Sequence, residues 1–459
     1  MSQSDETRSL PVALAARLVF DSISYSNSLP PWSDPVMESF AGEEGAIRKR
    51  ISKYLDGETP SRPFTIAVPK RSGDKKYWQL PSVADQIVIQ ASVSAIAEKV
   101  HKTLDQRHVW SYRYNTNPNH VQLTESQISL WKQFQDETDK RCKTRSGCLL
   151  QLDLENTFES INRDKFFAFL EEIAPKHVAV SLLKHVVESI SGDVTGLPLI
   201  NDSMFFLANA YLTIVDQIIS RHTDNFIRFV DDYRIFGTER GVLESILGAI
   251  EKDITAVGFK LNKLKTKLGS GEEYLEALAN GKYATTTVVD GYVSAVVLDD
   301  VAAPELVLKL VARALENPDE LLTEGFGRLS IGAIRRIRLN HLIAQTKNYP
   351  SSPFDGYINS LLENKDLISR AAELLATYAT RSDEQWRAAW LINLLEDVPR
   401  GTAKTLDDLL EAIIKSDNEL LRLFAVKAVS EQPTLETKQP SGAEDLGYLE
   451  WGRHLWGQR

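Results

Sequence analysis

The chain has little cysteine, and that scarcity narrows its class. Cys142 and Cys148, in "RCKTRSGC", are the only two in 459 residues. This excludes a disulfide-built scaffold, and with no histidine cluster beside them the two do not complete a zinc site. Long apolar runs are also lacking: no stretch approaches the roughly 20 residues that span a bilayer. The opening "MSQSDETRSL" is polar and acidic, without the apolar core of a signal peptide. A reduced, cytoplasmic compartment and no membrane role are expected. There is no surplus of positive charge either. With 53 Lys and Arg against 63 Asp and Glu, the formal net charge is −10, which argues against a surface built to coat long nucleic acid. Low-complexity tracts are missing, and the one loose-looking linker is "SEQPTLETKQPSGAEDLG" near the C-terminus.

What is present is the composition of an ordinary globular protein, 43% apolar and 25% charged, long enough for two or three domains. Basic segments occur locally, at "VPKRSGDKK", "DKRCKTR", "KLNKLKTK" and "RRIRL". Each suits a nucleotide site or a solvated loop or helix face. Residues 1–60 read as a helical extension. Residues 61–147 open on a strand–turn signal, "FTIAVPKRSGDKKYWQL", followed by a helix from Val83 to Val100. Residues 148–300 alternate strands and helices. From 301 to 459 only helical periodicity is found, as in "ELVLKLVARALE", "GAIRRIRLNHLIAQ", "ISRAAELLATYAT", "QWRAAWLINLLE" and "LDDLLEAIIKS". Helices of that length with short polar breaks suit a stacked helical repeat.

One stretch stands out, "RFVDDYRIFG", Arg228 to Gly237. Asp231 and Asp232 lie between two short apolar runs and read as the turn of a tight hairpin, where Asn-Gly or Asp-Gly is the usual choice. A second pair, Asp299 and Asp300, precedes Pro304 and Glu305 and reads as the acidic start of a helix, with no function required. Two like charges in a hairpin make sense if divalent metals neutralise them. Two-metal nucleotidyl transfer also needs a carboxylate from a neighbouring strand, and "LLQLDLENTFESINRDKF" offers Asp153 at the end of an apolar strand. A helix-capping aspartate is the alternative reading of Asp153.

These segments resemble the palm of reverse transcriptases. "LDLENTFESIN" is similar to their first palm motif. "RFVDDYRIFG" is similar to their Tyr-x-Asp-Asp motif, with Phe229 in place of tyrosine. "GLPLINDSMFFLANAYL" lies between them as the Gly-Leu-Pro-Gln-Gly segment does, and "VGFKLNKLKTKL" follows like the Gly-Leu-x-Leu-Asn-x-x-Lys-Thr motif. Upstream, "VPKRSGDKKYWQLPSVADQIVIQA" is similar to the fingers pattern. The fold class implied is α/β, with reverse-transcriptase-like fingers (61–147) and palm (148–300), followed by an all-α helical-repeat domain (301–459) in place of the thumb.

By position, the resemblance implies that Asp153, Asp231 and Asp232 bind Mg2+ or Mn2+, with the Leu154 carbonyl as a further ligand. Lys265 would protonate the pyrophosphate leaving group. Lys70 and Lys76 would hold the triphosphate. Phe158 would exclude a ribose 2′-hydroxyl, its alternative being a core phenylalanine. Arg228 would lie near the nucleotide as an outward strand residue that screens the acids.

Departures from the pattern refine the subtype. Leu199 and Ile200 stand where the template-contacting Gln-Gly is expected, and the C-terminal third does not read as a short thumb. The combination resembles the abortive-infection and unknown-group defence reverse transcriptases of bacteria. That resemblance implies a trimer or hexamer that polymerises dNTPs without a template, leaving single-stranded DNA covalently attached to the protein. Tyr25 and Tyr378 are candidate priming hydroxyls. The alternatives are a templated enzyme that copies a dedicated non-coding RNA, and a catalytically silent scaffold.

Overall fold

The structure is a computed structural model. It describes residues 9–25, 44–60, 62–69, 75–117, 122–144, 147–192, 194–279, 304–318, 361–381, 384–396 and 398–430. Lys70, the Asp299–Asp300 pair, the "RRIRL" segment with its helix, and the C-terminal linker lie outside the described residues.

The elements run in chain order as α1 (Val12–Tyr25), α2 (Glu44–Leu55), β1 (Phe64–Pro69), β2 (Lys75–Leu80), α3 (Val83–His101) and α4 (Gln127–Thr144). Then come β3 (Cys148–Asp153), α5 (Thr157–Ser160), α6 (Arg163–Ile173), α7 (Val178–Ser191), α8 (Asp202–Tyr211) and α9 (Thr213–Ser220). After these follow β4 (Phe226–Phe229), β5 (Asp232–Gly237), α10 (Arg240–Ala256), β6 (Lys267–Ser270) and α11 (Gly271–Ala279). The last are α12 (Pro304–Glu316), α13 (Lys365–Ala379), α14 (Gln385–Leu395), α15 (Lys404–Ile414) and α16 (Glu419–Ser430). The chain is thus mixed α/β, mostly helical, and divides into two compact units.

The first unit comprises 1–19, 43–62 and 81–284. Its central helix, α3, is apolar nearly all round and buried along most of its length, as a helix with no solvent face must be. Ser82 caps it, accepting from the Asp85 amide at 3.1 Å. The buried Asp85 carboxylate is satisfied by Ser82, Arg50 and Tyr54. Helices α2, α6, α7 and α8 pack around α3.

Beside this bundle lies a four-stranded antiparallel sheet in the order β4-β5-β3-β6. Side chains alternate across it with period two. One face carries Leu149, Ile227 and Phe236 and packs against Phe134 and Cys142 of α4 and Tyr274 of α11. The other carries Tyr233 and Ile235 and meets α10. Gly237 lets α10 approach, since a Cβ there would sit 3.0 Å from the Leu243 side chain. With helices on both faces, β4 is buried throughout its first three residues.

Two expectations change here. The hairpin loop is Val230–Asp231, because Asp232 already pairs with Phe229 as the first residue of β5. Val230 supplies the positive φ the turn needs, at 56°. In addition, the run Asp202–Ser220 is long and apolar enough to span a bilayer by composition, but 72% of it is buried inside the fold, as in a core helix.

The second unit comprises 20–42, 63–80 and 285–459. β1 and β2 form an antiparallel hairpin in register from Phe64↔Leu80 to Pro69↔Lys75. Helix α14 lies against β1. It is buried on every side, including Trp386 and Trp390, and α13 and α16 pack against it. Tyr378 of α13 is buried, only 3% exposed, so its hydroxyl is not presented to solvent as a priming residue would be.

Candidate functional site

The end of β3, the β4–β5 loop and the turn at 260–266 meet at one corner of the sheet. Asp153, the last residue of β3, stands directly across from Asp232, the first of β5, so their side chains share a face. Asp231 precedes Asp232 in the loop, and its carbonyl accepts from the Leu154 amide at 3.3 Å. Asn156 then takes a left-handed conformation, φ 49°, which asparagine tolerates. The chain turns back, and the Thr157 hydroxyl donates to Asp231 Oδ2 at 3.0 Å.

On the other side, Leu154 bridges to Leu261 and the Asn262 amide donates to the Asp153 carbonyl at 2.8 Å. These bonds bring Lys265 to the acids, with Nζ 3.1 Å from Asp153 Oδ1. Asp153, Leu154, Asp231, Asp232 and Lys265 therefore lie at one place, although they span more than a hundred residues of sequence.

The pKa values of Asp153 and Asp232 are both raised. Burial pushes the Asp153 carboxyl up and the charge of Asp231 pushes it further, against the pull of Lys265. Asp232 rises to about 6, first through burial and then through Asp231 and Asp153, while Arg234 opposes the shift. Three mutually repelling carboxylates form a site that a divalent cation would stabilise. The donors are carboxylate oxygens with a main-chain carbonyl nearby, the hard set that suits Mg2+ or Mn2+. Among the described residues no three His, Cys, Asp or Glu side chains are drawn together into a ready cage. The donor chemistry fits the metal.

Arg228 corrects an expectation. It is fully buried and points to the inside of the sheet, where it cannot screen the acids from solvent or touch a nucleotide. Its guanidinium binds both oxygens of Asp216, at 2.7 Å each, along with Asn209 Oδ1 at 2.6 Å and the Val230 carbonyl at 3.1 Å. The reason is the second layer of helices: α8 and α9 cover this face, so an arginine beside the hairpin has a buried anion to meet. Burial disfavours its charge, yet Asp216 more than offsets this and holds its pKa above the usual value.

Phe158 is 8% exposed, its ring edge-on to Phe205 at 4.9 Å. Its carbonyl accepts the Leu197 amide at 2.9 Å. Gly196, at φ 72°, passes so close that a Cβ would sit 2.1 Å from that carbonyl oxygen, which requires glycine. Leu199 and Ile200 are buried in the core. Lys76 lies in β2 opposite Val68, in the other unit.

Several residues at this corner are not marked as functional by the sequence alone. Thr157, Asn209 and Asn262 lie inside the motifs but had no assigned role. Asp216, a lone acid in an apolar helix, did carry a signal, since such a charge needs a buried partner. Ser111 carried none.

No protein-family profile matches the chain, and no curated protein matches it. Among solved structures, the chain is similar to the telomerase of Candida albicans in complex with a fragment of telomeric RNA. The TM-score is 0.34 at 10% identity, over 81% of this chain and 70% of that one. A likeness of that size does not define a shared fold.

Proposed function

We propose that the chain is a nucleotidyltransferase of reverse-transcriptase type that adds deoxynucleotides to a growing DNA chain. The observation that carries this reading is the facing pair Asp153 and Asp232 on adjacent antiparallel strands, with Asp231 in the hairpin loop and Lys265 on the same acids. In the reaction a 3′-hydroxyl oxygen bonds to the α-phosphorus, the bond to the β-phosphate bridging oxygen breaks, and pyrophosphate leaves. Mg2+ or Mn2+ would stabilise the attacking and leaving oxygens. Asp153 and Asp231, with the Leu154 carbonyl, would hold the metal, and Asp232 would sit at its edge. Lys265, exposed and bound to Asp153 alone among the described acids, is free to deliver its proton to the leaving group. Phe158 would set the preference for deoxyribose, with Lys70 and Lys76 on the triphosphate.

The burial of Leu199 and Ile200 supports synthesis without a template, since no polar group stands where a template contact is expected. On this reading the product is single-stranded DNA attached to the protein. The enzyme would be a cytoplasmic trimer or hexamer, its C-terminal helices would stack as repeats, and its role would be abortive defence against phage. The local basic segments favour a second reading, templated synthesis on a dedicated non-coding RNA.

The test incubates purified protein with each labelled dNTP and Mg2+ or Mn2+, without added nucleic acid. Products are run on a denaturing gel before and after protease and RNase, beside Asp231→Ala. Label that stays with the protein until proteolysis, resists RNase and is lost in the variant supports protein-primed synthesis. Product only when RNA is supplied favours the templated reading. No product under either condition leaves a silent scaffold.

A further inference from the structure

The loop that carries Asp231 is held from behind by a residue far away in sequence. Val230 is β-branched, and at φ 56° it occupies a region such residues avoid. Both of its main-chain polar groups are engaged by side chains. Its amide donates to Ser111 Oγ at 2.8 Å, and its carbonyl accepts from Arg228 Nη1 at 3.1 Å. The Ser111 hydroxyl itself donates to Asn209 Oδ1 at 2.8 Å, while Asn209 Nδ2 donates to the Ser111 carbonyl at 2.9 Å. Because the hydroxyl proton is committed to Asn209, a lone pair is left facing the Val230 amide. Asn209 is held in turn by Arg228, and Arg228 by Asp216.

Ser111 is fully buried, so water does not replace it in this chain of bonds. The segment that presents it runs beside β4: the Arg228 amide donates to the His108 carbonyl at 2.7 Å, and the Trp110 amide to the Arg228 carbonyl at 2.8 Å. The next residue, Tyr112, is also left-handed at φ 44°, its amide bound by Gln127 and its ring stacked on Phe205. Tyr112, Asn156 and Val230 are three of the four non-glycine residues at positive φ among those described, and all adjoin this corner.

We propose that Ser111 is a positioning residue for Asp231: its hydroxyl, oriented by Asn209 and Arg228, fixes Val230 in the left-handed turn and so aims the Asp231 carboxylate. The proposal rests on the reading of Asp231 as a metal-binding carboxylate. Loss of the hydroxyl frees the Val230 amide, lets the turn relax toward an unstrained conformation and swings the carboxylate away from Asp153.

The test compares full-length wild type, Ser111→Ala, Ser111→Thr and Arg228→Lys, with Asp231→Asn as the control for site-specific binding. Mn2+ binding is followed by electron paramagnetic resonance, amide hydrogen exchange over 226–236 by mass spectrometry, and Tm alongside. Ser111→Ala is expected to fold, to exchange the Val230 and Asp231 amides faster, and to bind Mn2+ roughly 10- to 100-fold more weakly, as loss of an outer support of a metal ligand does. Ser111→Thr, which keeps the hydroxyl, restores both. Arg228→Lys keeps a charge opposite Asp216 but loses the fork to Asn209 and Val230, and so weakens Mn2+ in the same way. Wild-type Mn2+ affinity in Ser111→Ala overturns the proposal, whether exchange rises or not, because a purely structural hydroxyl would change Tm alone. If wild type binds no more Mn2+ than Asp231→Asn, the metal-site reading fails and takes this proposal with it.

Discussion

Near the β4–β5 turn, Arg228 pairs with Asp216 of α9 and Lys265 with Asp153 of β3, and the two pairs differ in almost every physical respect. Arg228 is fully buried, bound to both oxygens of Asp216, and its remaining donors are used by Asn209 and Val230. Lys265 makes one contact to Asp153 with its side chain 65% exposed. A buried, multiply bonded pair cannot exchange partners without leaving a bare charge in the interior. An exposed single contact exchanges at little cost. The buried side of the turn is therefore fixed framework, and the open side is where a cation or a phosphate can displace the lysine.

The sharpest way to break this contrast is to remove the acids themselves. Asp231→Ala and Asp153→Asn are expected to reduce dNTP incorporation to background while Tm at pH 7 stays level or rises, because each change removes a repelling charge. A gel assay with a thermal melt checks both; a large fall in Tm would make the acids framework too. Next in size, Lys265→Met is expected to slow incorporation by roughly 10²- to 10⁴-fold, the usual range for a lost general acid. Its stability change should stay within about 1 kcal/mol, the worth of an exposed pair. A rate loss accompanied by a large Tm loss would erase the distinction between the pairs.

Arg228→Met is expected to cost about 3–5 kcal/mol by leaving Asp216 buried and unpaired. Combining it with Asp216→Leu should recover much of that loss in a denaturant melt. The smallest effect is in pH. The folded-state pKa of Asp232, raised to about 6 chiefly by burial, lies above its unfolded value, so the folded protein binds the extra proton. Its stability contribution is complete below the unfolded value and is lost as pH rises through 6. Without metal, Tm should therefore fall modestly between pH 5 and pH 7, with Asp232→Asn flattening the slope.

The open side of the turn was far more legible in the sequence than the buried side. Alternating apolar residues reveal β3 and β5, and Asp153, Asp231 and Lys265 fall where ordered motifs suggest they meet. The hairpin loop lies one residue earlier than the sequence suggests, because nothing about valine announces a left-handed turn; it is imposed by Ser111 and Arg228. From sequence alone Arg228 reads as outward, because a charged residue in a short strand usually faces water. Here both faces of β4 are covered, and the compensating acid sits twelve residues away in α9. Ser111 lies 119 residues from Val230, and a lone serine in a loop has no local pattern to betray it. Lys76, by contrast, belongs to a hairpin that groups with the C-terminal helices, a partition that no local periodicity expresses.

The central claim is that the open side of the turn performs nucleotidyl transfer, and the most direct measurement is pyrophosphate release. Wild type and Asp153→Asn, matched in Tm, would be given dNTPs with Mg2+ or Mn2+, with and without cellular RNA. The account predicts metal-dependent pyrophosphate from wild type and none above background from the variant. Equal release from both, or none from wild type under any of these conditions, would contradict it.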